Sequence, residues 1–236
     1  MKNNTLLEDL SQLSSPFLIL PIAVLSSLRD EKMSKKEQDD LVRWIYLAHS
    51  FGHYSRGSSE SILDADLSVL IKKKGSVSEL IELIERQSGR LSFNVGDIKG
   101  KGKRSPLFSM SYLAVKKNEG KDWFTGLVLN KNSKGKSHKI EFHHIFPRKL
   151  LQEAGYGTTE INEISNMAFI SGRTNRRISA SKPSVYLKEV VAKDGEECLT
   201  SQFVPLDPEL WKIENYHAFL EARRNLLINR INEFFK

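Results

Sequence analysis

EFHHIFPRKLLQEAGYGTTEINEISNMAFISGRTNRRISASK, residues 141 to 182, is the most informative stretch of this sequence. Its apolar pattern predicts a strand at Ile140 to His144 and a second strand at Met167 to Ile170, before a helix that opens near Thr174. Pro147 follows the first strand and supports an end there, because proline has no amide hydrogen to give to a β-ladder. The stretch therefore predicts strand, polar loop, strand and helix in that order.

Four polar side chains stand at the junctions of these elements: His143, His144, Asn166 and Asn175. Such residues suit phosphodiester hydrolysis, which needs a nucleophile made from water and stabilisation of the departing 3′ oxygen. A histidine can accept the proton of the water, because its pKa lies near neutrality. A divalent cation held by only two side chains keeps open positions for phosphate oxygens and water. Consecutive strand residues point to opposite faces, so the two histidines can converge only at the end of the strand.

This arrangement of His-His, Asn and Asn resembles the HNH, or ββα-metal, nuclease motif. The resemblance implies that His144 is the general base and that His143 and Asn175 are metal ligands. It implies that Asn166 is a structural asparagine, which ties down the loop of the base and so belongs to the catalytic set. His143 replaces the aspartate that is usual in the family. The expected cofactor is Mg²⁺ or Mn²⁺, and the softer imidazole ligand adds Ni²⁺ and Co²⁺ as candidates.

Basic residues surround the motif and indicate a polyanionic partner. The chain has 36 Lys and Arg against 29 Asp and Glu, a net charge of +7, which suits double-stranded DNA. For each basic residue the alternative is a solvated surface position. The residues predicted to bind DNA are Lys101, Lys103, Arg104, Arg148, Lys149, Arg173, Arg176, Arg177 and Lys182.

The first ninety or so residues are predicted to form a helical bundle, from caps and apolar periodicity. Gly96 to Ser105, GDIKGKGKRS, combines glycines with basic residues and predicts a mobile loop or linker. We therefore expect a helical domain at residues 1–95. The predicted helices begin near Pro16, at a capping box of Ser34 and Glu37, near Ser59, and at a box of Ser76 and Glu79, and the last three end at Gly52, Gly75 and Gly89.

The second predicted domain covers residues 96–236. It contains a further strand-like run at Gly126 to Leu129, a basic turn up to Ser137, the ββα element and one long helix from Asn215 to Phe235. The predicted fold class is therefore mainly α with a small α+β element. An N-terminal helical bundle precedes a ββα-metal HNH nuclease domain, and a long C-terminal helix closes the chain.

Two observations indicate the cytoplasm. The longest apolar run, Pro16 to Leu28, is too short to cross a bilayer. The single cysteine, Cys198, excludes an internal disulfide and fits a reducing compartment. We expect no membrane partner.

Two further tracts resemble the C-terminal half of GmrSD-type, modification-dependent restriction proteins. They are WIYLAHSFGHYSRGSSESILDADL, Trp44 to Leu67, and VPLDPELWKIENYHAFLEARRNLLINRINEFF, Val204 to Phe235. Full-length members have an N-terminal ParB-like nucleotidase half that senses modified DNA and gates the nuclease. That half is not recognisable in this sequence. The resemblance implies either a fragment of a larger protein or a short relative that works with a separate ParB-like chain on modified phage DNA.

The sequence thus predicts a divalent-metal-dependent DNA endonuclease that nicks or cuts duplex DNA, as the effector module of a restriction or anti-phage defence system. The alternative is a catalytically silent DNA-binding module of the same system, in which the ββα element only grips the duplex. Taken singly, adjacent histidines are often polar surface, and Asn166 and Asn175 suit a turn and a helix cap. A structural zinc domain is disfavoured, because such sites usually need four Cys or His ligands.

Overall fold

The computed structural model describes residues 5–7, 9–28, 32–72, 76–129 and 140–236 of the chain. The chain divides into two compact units, one of Met1–Phe93 with Ile231–Lys236 and one of Asn94–Arg230. The domain assignment made from the sequence, 1–95 and 96–236, remains a prediction. The mainly helical class is confirmed, and so are the two-stranded hairpin and the long C-terminal helix. No helix in the described ranges has both the length and the apolar character needed to cross a bilayer.

The first unit contains helices whose ends follow from local chemistry. Ser34 Oγ accepts from the Glu37 amide at 3.3 Å and the Glu37 carboxylate accepts from the Ser34 amide at 2.8 Å, which is the predicted capping box. The box predicted at Ser76 is wrong, because Ser76 Oγ bonds the Ser78 hydroxyl at 2.9 Å and makes no cap bond. The helices are α1 (Ile19–Ser27), α2 (Lys35–Ser50), α3 (Ser59–Lys72) and α4 (Val77–Ser88).

Helix α2 packs on α4 and α1 packs on α3, around fully buried side chains that include Trp44 and Leu80. Residues from the end of the chain complete this unit. Asn232 forms a pair of 2.9 Å hydrogen bonds with the backbone of Phe93. The Phe235 carbonyl oxygen accepts from Arg43 Nε at 2.6 Å. These bonds explain why the last six residues belong with the first unit.

The second unit is built around one hairpin. Strand β1 pairs antiparallel with β2, from Ile140 opposite Ser171 to His144 opposite Met167. A core that includes Trp123, Tyr186 and Phe219 surrounds it. The elements of this unit and the helix that closes the chain are α5 (Val95–Ile98), α6 (Pro106–Lys117), β1 (Ile140–His144), α7 (Arg148–Glu153), α8 (Thr158–Ile161), β2 (Met167–Ser171), α9 (Gly172–Ile178), α10 (Pro183–Asp194), α11 (Glu197–Thr200) and α12 (Tyr216–Asn232).

Two predictions for this unit need correction. The strand predicted at Gly126 to Leu129 is wrong, because within it only the isolated bridge Lys121–Val128 forms. The basic turn predicted after it, residues 130–137, lies outside the described residues. The mobile linker at residues 96–105 is also wrong. The Gly100 amide donates to Glu163 Oε2 at 2.9 Å and the Lys101 carbonyl oxygen accepts from the Ile164 amide at 2.8 Å.

Gly102 of this segment is required by close packing, not by flexibility of the backbone. A Cβ on Gly102 would lie 3.0 Å from the backbone oxygen of Asn162. Glycine therefore allows the segment to approach the loop that precedes β2. In the sequence, a glycine required by close packing cannot be distinguished from a glycine of a flexible linker.

Candidate functional site

The hairpin and α9 bring His143 and Asn175 together. The Ser171 hydroxyl accepts from the Thr174 amide at 3.2 Å and caps α9 immediately after β2, which puts Asn175 in the first turn. His143, at the end of β1, then lies with Nδ1 2.9 Å from Asn175 Oδ1. The predicted metal-ligand pair is therefore in contact, although 32 residues separate its members.

A buried aspartate that the sequence analysis missed fixes the start of α9. Asp122 Oδ1 accepts from the Ser171 amide and Oδ2 accepts from the Thr174 hydroxyl, both at 2.6 Å. Asp122 is only 2% exposed, so these bonds compensate the cost of burying the carboxylate. This role of Asp122 has no local signal in the sequence, because Ser171 and Thr174 lie about fifty residues further on.

His144 is held by a second residue that the sequence analysis missed. Its Nε2 lies 3.0 Å from Asn162 Oδ1. An amide oxygen can only accept, so Nε2 is the nitrogen that bears the hydrogen and Nδ1 keeps a free lone pair. This is the tautomer that a general base at His144 would need. A single asparagine in a polar loop gives no sequence signal for such a contact.

Asn166 joins the two ends of the loop between the strands. Its Oδ1 accepts from the Phe146 amide at 2.8 Å, and its Nδ2 donates to the carbonyl oxygens of Phe146 at 3.2 Å and Ile161 at 3.0 Å. The side chain is completely buried. It thereby satisfies three buried backbone groups, two of them only two residues from His144.

Glu141 adds a carboxylate to the site. It lies two residues before His143 on β1, hence on the same face of the strand. Its Oε2 accepts from Asn175 Nδ2 at 2.8 Å. This bond orients the amide of Asn175 with the oxygen toward His143. The spacing i, i+2 within EFH was the signal that could have identified Glu141 from the sequence.

Burial keeps both histidines neutral at neutral pH. Burial, which the bond with Asn175 opposes and the charge of His144 reinforces, lowers the pKa of His143 to about 4. Burial also lowers the pKa of His144, where the bond with Asn162 acts in the opposite direction. Lys103 and Arg148 lower the pKa of His144 by their positive charge. Both imidazoles therefore have a lone pair available near neutral pH.

The residues present fit a divalent cation. An ion bound about 2.1 Å from each of two donors at a right angle would hold those donors about 3.0 Å apart. The observed separation of His143 Nδ1 and Asn175 Oδ1 is 2.9 Å. Because His143 is neutral, a cation at Nδ1 would require its single ring hydrogen to sit on Nε2 instead, with no net loss of a proton. No cluster of three or more His, Cys, Asp and Glu able to hold a metal occurs in the described part of the chain.

The structure divides the nine predicted DNA-binding residues into three groups. Lys103 and Arg148 act on His144 electrostatically, and Lys103 Nζ also lies 4.1 Å from the centre of the Phe142 ring. Arg173 and Arg177 line a cavity beside α9. The remaining residues are exposed: Lys101, Arg104, Lys149, Arg176 and Lys182.

We expect the Glu141→Gln variant to need about 10 to 100 times more Mn²⁺ for half-maximal cleavage, the usual loss when a residue that orients a metal ligand is changed. Glutamine keeps the shape but removes the negative charge beside two neutral ligands. The measurement is the initial rate of plasmid cleavage against Mn²⁺ concentration. Glu153→Gln on the exposed face of α7 is the matched control. An unchanged Mn²⁺ requirement in Glu141→Gln would show that the carboxylate has no part in metal binding.

The comparisons with known proteins identify a distant relative and no family. No family model and no solved structure match the chain. The chain is 26% identical over 229 residues to uncharacterized protein MJ0686 of Methanocaldococcus jannaschii, in an alignment that covers 84% of this chain and 37% of that protein. The match thus spans little more than a third of the length of this relative. The fold and site define a mainly helical chain with a polar hairpin-and-helix site.

Proposed function

We propose that this chain is a divalent-metal-dependent DNA endonuclease of the HNH type, which hydrolyses phosphodiester bonds in duplex DNA. One observation supports this most strongly. His143 Nδ1 and Asn175 Oδ1 lie 2.9 Å apart, as two ligands of one cation would, while the neighbouring His144 is held in the tautomer of a general base. The resemblance of the ordered His-His, Asn and Asn set to the HNH motif supports the same function.

Each side chain has a defined part in the proposed reaction. When bound, the divalent cation would neutralise phosphate charge and stabilise the leaving 3′ oxygen. His143 and Asn175 would hold it, and Glu141 would keep the Asn175 oxygen turned toward it. His144 accepts the proton of the attacking water at Nδ1, while Asn162 keeps the proton on Nε2 and stabilises the imidazolium that results. Lys103 and Arg148 add positive charge beside the phosphate.

The biological setting rests on the resemblance to GmrSD-type restriction proteins. We propose that the chain is the cutting module of a restriction or anti-phage defence system in the cytoplasm. Its substrate would be double-stranded DNA, including modified phage DNA. Its partner would be a ParB-like nucleotidase domain or separate chain. The tracts Trp44–Leu67 and Val204–Phe235 support this setting.

A catalytically silent DNA-binding module is the second candidate, and one observation favours it. Both ligands of the proposed cation, His143 and Asn175, are neutral, so the site attracts a divalent ion less strongly than a site with an aspartate would. In this case the basic residues near His144 would grip DNA without a cut. Both candidate functions predict binding of duplex DNA, but only the endonuclease predicts its cleavage.

The test is cleavage of supercoiled plasmid with a panel of metals. We expect cleavage to stop in excess chelator and to return with added metal, because in the proposed reaction the cation is the group that stabilises the leaving oxygen. Mn²⁺, Co²⁺ or Ni²⁺ should support faster cleavage than Mg²⁺, because imidazole is a softer donor than carboxylate. Full cleavage in excess chelator would contradict the proposal. If no metal supports cleavage while a gel shift persists, the binding module is the correct function.

A further inference from the structure

A polar cavity lies beside α9, and neither histidine of the pair lines it. It has a volume of about 390 Å³ and its lining side chains come from α9, α10 and the segment before β1. Arg173 and Arg177 are one turn apart on α9 and so share one face of this helix. The lining residues are Phe124, Thr125, Arg173, Thr174, Arg177 and Lys193.

Phe124 holds two of the three cations of the cavity. The guanidinium carbon of Arg177 lies 3.8 Å from the centre of the Phe124 ring, a cation–π contact. Lys193 Nζ donates to the Phe124 carbonyl oxygen at 2.6 Å and lies 3.6 Å from Asp194 Oδ2. Neither arginine forms an ion pair with an acidic side chain of the described residues. At least two positive charges therefore remain uncompensated in the cavity.

The hydroxyl groups of the cavity do not provide donors for a ligand. Thr125 and Thr174 both donate to Asp122 Oδ2, at 2.8 and 2.6 Å. Recognition therefore depends on the cations, and a guanidinium matches the oxygens of a phosphate. The cations of the cavity therefore suit an oxyanion such as a phosphate group.

The cavity is separate from the site of the cut. Asn175 is two residues from both Arg173 and Arg177, about 200° around the helix, and so lies on the opposite face of α9. The width of a helix with its side chains is about 10 Å. That distance corresponds to about three nucleotide steps at roughly 3.4 Å of rise per strand.

We propose that this cavity binds a backbone phosphate of the DNA substrate a few nucleotides from the phosphate that is cut, and so sets the register of the duplex over His144. This inference rests on the proposed function. The same chemistry would accept the phosphate of a free mononucleotide. The experiment therefore has one arm for each source.

The first arm measures the affinity for a labelled duplex by fluorescence anisotropy, in chelator and over a series of salt concentrations. Each lost phosphate contact lowers the slope of log affinity against log salt by about 0.9. We expect a reduction of about that size in Arg173→Gln and in Arg177→Gln, and about twice that size in the double variant. Arg177→Lys keeps the charge and should keep the slope. Lys188→Gln removes an exposed charge of α10 outside the cavity and should leave the slope unchanged.

The second arm titrates inorganic phosphate and deoxyadenosine monophosphate into the wild type and the double variant by calorimetry. Saturable nucleotide binding that the double variant loses, with unchanged duplex slopes, would assign the cavity to a free nucleotide and overturn the proposal. If wild type and double variant have equal salt slopes and neither binds the nucleotide, the proposal is overturned as well. If the double variant does not fold, the slope and the nucleotide binding of Arg173→Gln decide, because this side chain is exposed and forms no hydrogen bond within the described residues. Duplex binding in chelator is measured without cleavage. Failure of the nuclease proposal would therefore be seen in the plasmid assay, separately from failure of this inference.

Discussion

The His144→Ala variant should cleave supercoiled plasmid about two to four orders of magnitude more slowly than the wild type, the usual contribution of a general base. The attacking water would then have no acceptor for its proton, and no concentration of Mn²⁺ should restore the rate. Binding of duplex DNA in chelator should barely change, because neutral His144 adds no charge to the interface. The measurements are initial cleavage rates and a gel shift on the same preparations.

His217→Ala is the matched control for this experiment. His217 is exposed and its Nε2 lies 2.8 Å from Glu160 Oε1, so its removal should leave cleavage unchanged. The cleavage rate of Asn162→Ala should lie between the rates of His144→Ala and His217→Ala. The imidazole of His144 remains in this variant, but its tautomer is no longer fixed. A wild-type rate in His144→Ala would exclude this residue as the base.

The Asn166→Ala variant should lose about 3 kcal/mol of stability, because three buried backbone groups lose their partner. For a chain of this size that corresponds to a fall in melting temperature of roughly 6 to 12 °C. Cleavage should fall as well, since Phe146 anchors the loop two residues after His144. Thermal unfolding followed by circular dichroism measures the first effect, and the plasmid assay at a low temperature measures the second.

Asn225→Ala is the control for the stability measurement. Asn225 is exposed on α12 and its side chain donates to the Glu221 carbonyl oxygen, so we expect a change within about 0.5 kcal/mol. Asn166→Asp keeps the acceptor for the Phe146 amide but loses both donated bonds, and should also destabilise the chain. If Asn166→Ala melts at the wild-type temperature, the loop does not depend on this side chain.

Much of the fold could be predicted because its causes are local. The capping box of Ser34 and Glu37 involves residues three apart, and the end of β1 follows from the apolar pattern and Pro147. The errors have a physical reason too. GDIKGKGKRS was interpreted as a linker from its composition, but Gly102 is needed where the segment approaches Asn162. Apolar residues at 126–129 suggested a strand, yet only one bridge forms there.

The candidate site was predicted in part. The order of His143, His144, Asn166 and Asn175 identified the side chains that stand at the junctions, because strand ends and helix starts can be read locally. Glu141 was missed although its i, i+2 relation to His143 is visible in the sequence. The residues most difficult to find were those whose partners are distant in the chain.

Sequence by itself determined the mainly helical class, the two strands, the long last helix and the positive charge, since each depends on composition or on contacts between near neighbours. Tertiary structure decided which side chains meet. Asn162 contacts His144 across 18 residues, and Asp122 reaches Thr174 across 52. Such bonds depend on the path of the whole chain, because closing a loop of that length costs entropy that only packing of the surrounding core can offset. The cavity lined by Arg173, Arg177 and Lys193 arises in the same way, because its side chains come from α9, α10 and the segment that contains Phe124.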